Sequence, residues 1–216
     1  QTPFLRSHLY AFLAVLFWSS AYVLTRAGLQ SLSFTSLAFL RCAVAALCLG
    51  CVLAIKKKPV PASRAFLSFF VSGAVGFAFY LYVFNKGSIS LNPTSSCIII
   101  STSPIITAML AGMCFGEKLT FFSWCGTILA FGGILIMTLW DGSFHASQGI
   151  IWMLAAALSI SSYSILQRGL SRRHDPLIIT TYSFITGSLW LRPFLPEAFI
   201  RIRQAPLEQV ALVCFL

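Results

Sequence analysis

Long apolar runs separated by short polar or basic breaks set the pattern of this chain, and the clearest run is Leu91–Thr120. It opens on Asn92-Pro93, a turn into a helix whose first turn tolerates proline. It closes on Gly116-Glu117-Lys118, where glycine can end the helix and Thr120 can cap the next one. About twenty uncharged residues lie between, enough to cross a bilayer at roughly 1.5 Å per residue. One face is small and weakly polar, with Thr94, Cys97, Ser101, Pro104, Ala108 and Gly112 at steps of three and four. Ile99, Ile106, Leu110 and Met113 make the opposite face bulky. A spanning helix split in this way is expected to turn its bulk to lipid and its small side to other helices or a cavity.

The same reading along the chain predicts spans at about Leu9–Thr25, Thr35–Ile55, Ala65–Phe84, Phe121–Leu139, Gly149–Gln167 and Leu177–Phe194. In the first, Trp18, Tyr22 and Thr25 share a face with Val15 and Ala11. In the third, Ser72, Gly73 and Gly76 form a small-residue line leading to Phe77 and Tyr80. Gly126, Ala130 and Gly133 in the fifth stand at close-packing spacing. A polar, proline-punctuated loop then precedes Leu207–Leu216, an apolar stub too short to span, so the chain is expected to continue. Pro104 removes a donor and crowds the carbonyl of Ile100, which in lipid must find another partner. Ser101, Thr102 and Ser103 are candidates, and the position reads either as a healed kink or as a hinge lining a path.

Composition turns this pattern into a class. Hydrophobic residues make up 58% of the 216 positions, charged residues 9%, and the mean hydropathy is +0.87. Soluble domains carry about 25% charge. The fold class is therefore an all-α integral membrane protein, a multi-span bundle. The net charge of +10 belongs to helix ends and anionic lipid headgroups, not to nucleic acid. With the N-terminus inside, nine Lys and Arg lie on the inner side and five on the outer, Arg41 within a span aside, so a cytoplasmic N-terminus in the cell membrane is expected. Six of seven cysteines sit in or beside apolar runs as small hydrophobes. Cys48 and Cys51 form a formal CxxC with no second pair, which argues against zinc. No metal or cofactor is expected, and a homodimer is left open.

Sliding the chain on itself by 142 positions pairs Ala14 with Ala156, Leu16 with Leu158, Ser19-Ser20 with Ser161-Ser162, Leu24 with Leu166 and Arg26 with Arg168. The same offset aligns the second span with the seventh. Five spans fit one period, and an odd number sends the second copy in from the opposite face, an inverted repeat. Residues 1–142 would be the first five-helix repeat and 143–216 part of a second. The repeat would finish near residue 281, about 65 residues further on.

Trp18-Ser19-Ser20, Phe39-Leu40-Arg41, and Ser103-Pro104 through Gly116-Glu117-Lys118-Leu119-Thr120 together resemble the EamA-type permeases of the drug/metabolite transporter superfamily. The proline followed by a Gly-Glu-x-Leu-Thr hairpin is the most specific part. The resemblance implies ten helices in two inverted halves around a central cavity, and movement of amino acids or other metabolites. Lys86 departs from the family, which has a small or apolar residue there; it would alter outer-gate charge or snorkel.

The predicted solute site comprises Trp18, Ser19, Tyr22, Arg41, Tyr80, Ser101, Ser162 and Gln167, with Pro104 as hinge and Gly116 and Glu117 at a hairpin or gate. Arg41 is the one charge well inside a span, a functional candidate by its cost, though within snorkelling reach of the outer end. Trp18 and Tyr22 can stack on a planar or cationic solute or simply pack. The paired serines can face a site at the repeat interface or bond their own backbone. All five acids fall in loops or at helix ends, which gives proton coupling no support and excludes the four-helix drug/proton antiporters, which need a glutamate in their first span. His8, His145 and His174 form no acid/base or metal cluster, so an enzyme is not expected. The predicted function is an alternating-access carrier for a small metabolite. A nucleotide-sugar or sugar-phosphate carrier is the alternative, followed by a non-transport membrane protein.

Overall fold

A computed structural model describes residues 2–58, 61, 66–116, 121–140 and 148–216. These are helical almost throughout: α1 (Thr2–Gly28), α2 (Phe34–Ile55), α3 (Phe66–Gly73), a π-helical segment (Ala74–Phe79), α4 (Tyr80–Ser90), α5 (Pro93–Ile100), α6 (Ser103–Phe115) and α7 (Phe121–Trp140). Next come α8 (Gln148–Leu170), α9 (Pro176–Trp190), a 3-10 turn (Arg192–Phe194), α10 (Leu195–Gln204) and α11 (Leu207–Phe215). Among the described residues five helical stretches are long and apolar enough to cross a membrane: Ser7–Gly28, Phe34–Ile55, Phe66–Ser90, Pro93–Phe115 and Gln148–Leu170. The protein is an all-helical, multi-pass membrane protein.

Local chemistry sets the helix starts. Ser33, Asn92 and Asp175 cap α2, α5 and α9, their side chains accepting from the amides of Ser36, Ser95 and Leu177. Pro93 and Pro176 occupy the first turns. Gly116 ends α6 with φ +69°, a left-handed cap that other residues adopt only with strain. The stretch after Phe194, read from sequence as a loop, is instead the amphipathic helix α10, whose Phe199 and Ile200 are exposed while Ala198 is fully buried.

Packing centres on two helices from the second half of the chain. Helix α9 lies against α2, α3 and the π segment, and α8 lies against α4, α5 and α6. Small residues let α3 and α9 approach closely: a Cβ on Gly73 would stand 2.5 Å from the Ser183 carbonyl and 2.7 Å from the Gly187 nitrogen. The Ser183 hydroxyl donates to Ser72 Oγ at 3.0 Å, Thr186 Oγ1 to the Phe69 carbonyl at 2.9 Å, and Cys42 Sγ to the Phe184 carbonyl at 3.3 Å. Gly76 sits under the Tyr163 ring. The predicted small-residue line is thus a helix–helix seam. The glycines of α7 behave otherwise, since Gly126, Gly132 and Gly133 have open space around them. Close packing through Gly126 and Gly133 is therefore not seen among the described residues.

Contacts at the ends fix the helix directions. Lys58, just past α2, pairs with Asp175 at the start of α9 at 2.9 Å. At the opposite end Thr35 Oγ1 donates to Glu197 of α10 at 3.0 Å. Helices α2 and α9 therefore run antiparallel. Arg26, closing α1, donates to the carbonyls of Ser88 and Ile89 at the end of α4, a cation placed on a helix C-terminus. Helix α8 starts at that same end, where Gly87 lies against the Gly149 carbonyl. So α1 and α8, like α2 and α9, run in opposite directions.

Gly73→Ala is expected to destabilise the protein by about 1–3 kcal/mol, because backbone must shift to admit the methyl. Gly50→Ala, where nothing lies within 4 Å, is expected to be neutral or stabilising by up to about 1 kcal/mol. Thermal unfolding of the two variants in one detergent checks the pair. The Lys58 ammonium, followed by the Leu177 amide, holds the Asp175 carboxyl below its ordinary value. Its contribution is present above the usual carboxylate range and is lost as pH falls through the lowered value. Asp175→Asn is accordingly expected to lower the unfolding temperature at pH 7, with the gap to the parent closing below about pH 4.

Candidate functional site

The break inside the fourth span is a property of its sequence. Helix α5 stops at Ile100, residues 101–102 form a turn, and α6 restarts with Pro104 in its first turn. Two of the three hydroxyls expected to heal the Ile100 carbonyl act elsewhere: Ser101 donates to the Cys97 carbonyl at 2.8 Å and Thr102 to that of Ile99 at 2.7 Å. Across the break, Ser161 of α8 donates to the Ser103 carbonyl at 2.8 Å and to its own Ala157 carbonyl at 2.7 Å. The serine that ties the joint to the second half is thus Ser161.

The small face of this span sorts as the sequence reading expected, and the bulky face only in part. Ile99 and Ile100 are buried in a cluster with Tyr22, Val83, Phe84 and Met153, while Met113 faces outward at 82% exposure. Cys97, Ser101, Ser103 and Pro104 instead border a cleft of about 260 Å³ shared with Val15, Trp18, Ser19 and Tyr22 of α1. The small face opens on a cavity, and part of the bulky face is core.

A second cavity of about 250 Å³ lies beside it, with Trp18 and Tyr22 bordering both. Arg41 and Ala45 of α2, Phe77 of the π segment, and Tyr80 and Phe84 of α4 contribute to its walls, as do Ile160, Phe184 and Leu216. The π segment places Phe77 against Phe184 with centroids 3.8 Å apart and against Tyr163 at 5.1 Å. Arg41 donates from Nη1 to Thr25 Oγ1 at 3.1 Å, and its Nε is buried without a partner. The guanidinium therefore turns into the bundle toward α1.

Of the predicted site residues, the structure brings together Trp18, Tyr22, Arg41 and Tyr80 around one cavity and Trp18, Ser19, Tyr22, Ser101 and Pro104 around the other. Ser162 and Gln167 border neither; Ser162 donates to its own helix, at the Leu158 carbonyl. Gly116 caps α6 in open space, and Glu117 lies outside the described residues. The Lys86 ammonium lies over aromatic rings, 4.0 Å from the Trp152 ring centroid, with Tyr82 at 5.8 Å and Phe34 at 5.9 Å. Sequence reasoning missed Phe77 and Phe184 as cavity wall, because each is placed by contacts between distant helices. A substitution pair separates the two serines. Ser161→Ala is expected to cost about 1 kcal/mol of stability through its lost tie to Ser103. Ser162→Ala is expected to change it by a few tenths at most, both read by thermal unfolding.

Comparison with known proteins gives one family. Residues 5–139 and 147–216 match the EamA-like transporter family. An uncharacterized transporter of Bacillus subtilis, YdfC, is 26% identical over 200 residues, covering 92% of this chain and 65% of that protein. An uncharacterized transporter of Archaeoglobus fulgidus is 26% identical over 208 residues, covering 94% of this chain and 72% of its own length. A probable terminal-alkyne amino-acid exporter of Streptantibioticus cattleyicolor is also 26% identical over 208 residues, covering 94% and 69%. The chain thus spans about two thirds of the length of these relatives.

Proposed function

Because this chain belongs to the EamA-like transporter family, we propose that it forms the larger part of a carrier that moves a small organic metabolite across the cell membrane by alternating access. The observation that carries this reading is the pair of adjoining cavities sharing Trp18 and Tyr22. They lie where three features meet: the first helix, the jointed α5–α6 span, and the π-helical segment before Tyr80. Non-α backbone within membrane helices often marks functional sites, and broken spans at a repeat interface suit carriers. Two inverted repeats, residues 1–142 and 143–216, fit the opposed directions of α1 and α8 and of α2 and α9. The basic side chains at the Lys56–Lys58 and Arg172–Arg173 end favour a cytoplasmic N-terminus.

In this reading Trp18, Ser19, Tyr22, Arg41, Tyr80 and Ser101 contact the solute, and Pro104 is the joint. The amino-acid exporter among the relatives makes amino acids and related solutes the first candidates. A sugar-phosphate or nucleotide-sugar cargo is disfavoured because the two cavities present one cation between them, Arg41. Uptake of radiolabelled amino acids and organic acids into proteoliposomes tests the proposal. Trp18→Ala is expected to slow transport about fivefold, the factor carried by roughly 1 kcal/mol of ring contact, without lowering thermal stability, since Trp18 is 57% exposed. Failure of any solute to cross would refute the carrier reading.

A further inference from the structure

We propose that Arg41 is a carboxylate-binding group, and that the solute of this cavity carries one carboxylate on an apolar or aromatic body. The inference rests on the carrier reading above and adds what the carrier recognises. A guanidinium offers five N–H donors in a planar fork. Here Nη1 donates to the neutral hydroxyl of Thr25, and Nε is buried with no partner. The titratable groups beside it are Tyr22 and Tyr80, which line the same cavity, and neither is a carboxylate.

Among the described residues, no carboxylate meets that charge. Of its five acids, Asp175 is paired with Lys58, Glu197 accepts from Thr35, and Glu208 is exposed at the start of α11. Glu117 and Asp141 lie outside the described residues, in segments that join apolar runs in the sequence. A cation enclosed in a membrane bundle is expensive unless an anion or hydrogen-bond acceptors meet it. A solute that brings the anion supplies both, and the fork matches one carboxylate with two parallel bonds.

The number of cations limits the cargo. A diphosphate or sugar phosphate calls for several basic groups, yet Arg41 is the one cation lining these two cavities, and two of the five basic side chains toward the same end are already engaged. Lys86 is held over aromatic rings, and Arg26 is held on the carbonyls that end α4. What remains around Arg41 is Trp18, Tyr22, Phe77, Tyr80, Phe84 and Phe184. Those faces suit a flat apolar body and carry no acid to receive an ammonium ion.

The experiment uses purified protein in lipid nanodiscs and three probes of one shape: 3-phenylpropionate, its uncharged amide 3-phenylpropionamide, and the cation 3-phenylpropylammonium. Binding is read by calorimetry for the parent, Arg41→Gln and Arg41→Lys, with circular dichroism and thermal unfolding to verify that each variant is folded. The parent is expected to bind the acid at least about tenfold more tightly than the amide, as charged hydrogen bonds allow, and the ammonium probe most weakly. Arg41→Gln is expected to abolish the preference for the acid. Arg41→Lys, which keeps charge but loses the fork, is expected to retain part of it. Equal binding of acid and amide by the parent, or a preference that survives in Arg41→Gln, overturns the carboxylate assignment while solute uptake into proteoliposomes leaves the carrier reading standing. If none of the three binds and no solute is taken up, both fall together.

Discussion

Inside a bilayer no water stands by to complete a hydrogen bond, so each polar group carried into the bundle must be met by another part of the protein. That constraint accounts for most of the seams. Thr186, Ser183, Ser72 and Cys42 are buried side chains of weak polarity; Thr186, Ser183 and Cys42 use their hydrogens to join α9 to α2 or α3, with Ser72 accepting from Ser183. Ser161 does the same between α8 and the restart of α6. Such bonds add specificity to interfaces whose affinity comes from close packing, because lipid competes with apolar side chains but not with a well-aimed hydroxyl. The exceptions stand out against this background. Among the described residues, Arg41 Nε, Asn85 Oδ1, Ser96 Oγ and Gln209 Oε1 are buried without a partner. Of these four, only Arg41 brings a full charge, and only Arg41 lines one of the two cavities described above.

The same constraint explains which parts of the fold could be read from sequence. A membrane span is written locally, as about twenty apolar residues with a cap at one end and a glycine at the other. The ends near Asn92-Pro93, Asp175-Pro176 and Gly116 were therefore legible. Pro104 announced a break because the missing donor is a property of that residue alone. Helix α10 was hidden for the opposite reason. Three prolines and four charged residues between Arg192 and Pro206 resemble a loop in one dimension, and only the tertiary seat of Ala198 and the bond from Thr35 to Glu197 favour the helix.

Within the candidate site, individual side chains were legible where a local cost marked them. Arg41 was visible because a charge in an apolar run is costly, and Trp18 and Tyr22 because they share a helical face. Ser161 and Ser162 could not be told apart, since adjacent serines differ only in which neighbour they meet. Phe77, Phe184 and the aromatic box around Lys86 depend on rings from two or three helices far apart in the chain. No spacing rule reaches across such separations. Family membership supplies the missing context for the class of protein.

Helix α2 is fastened to its neighbours above, below and along its middle, by Glu197, Lys58 and Cys42 in turn. Together with α3 and α9, interlocked at Gly73 and Gly187, it makes a stiff slab. Helix α1 and the break between α5 and α6 lie outside this slab. Arg41 therefore stands on the slab, whereas Trp18 and Tyr22 line the same cavity from α1.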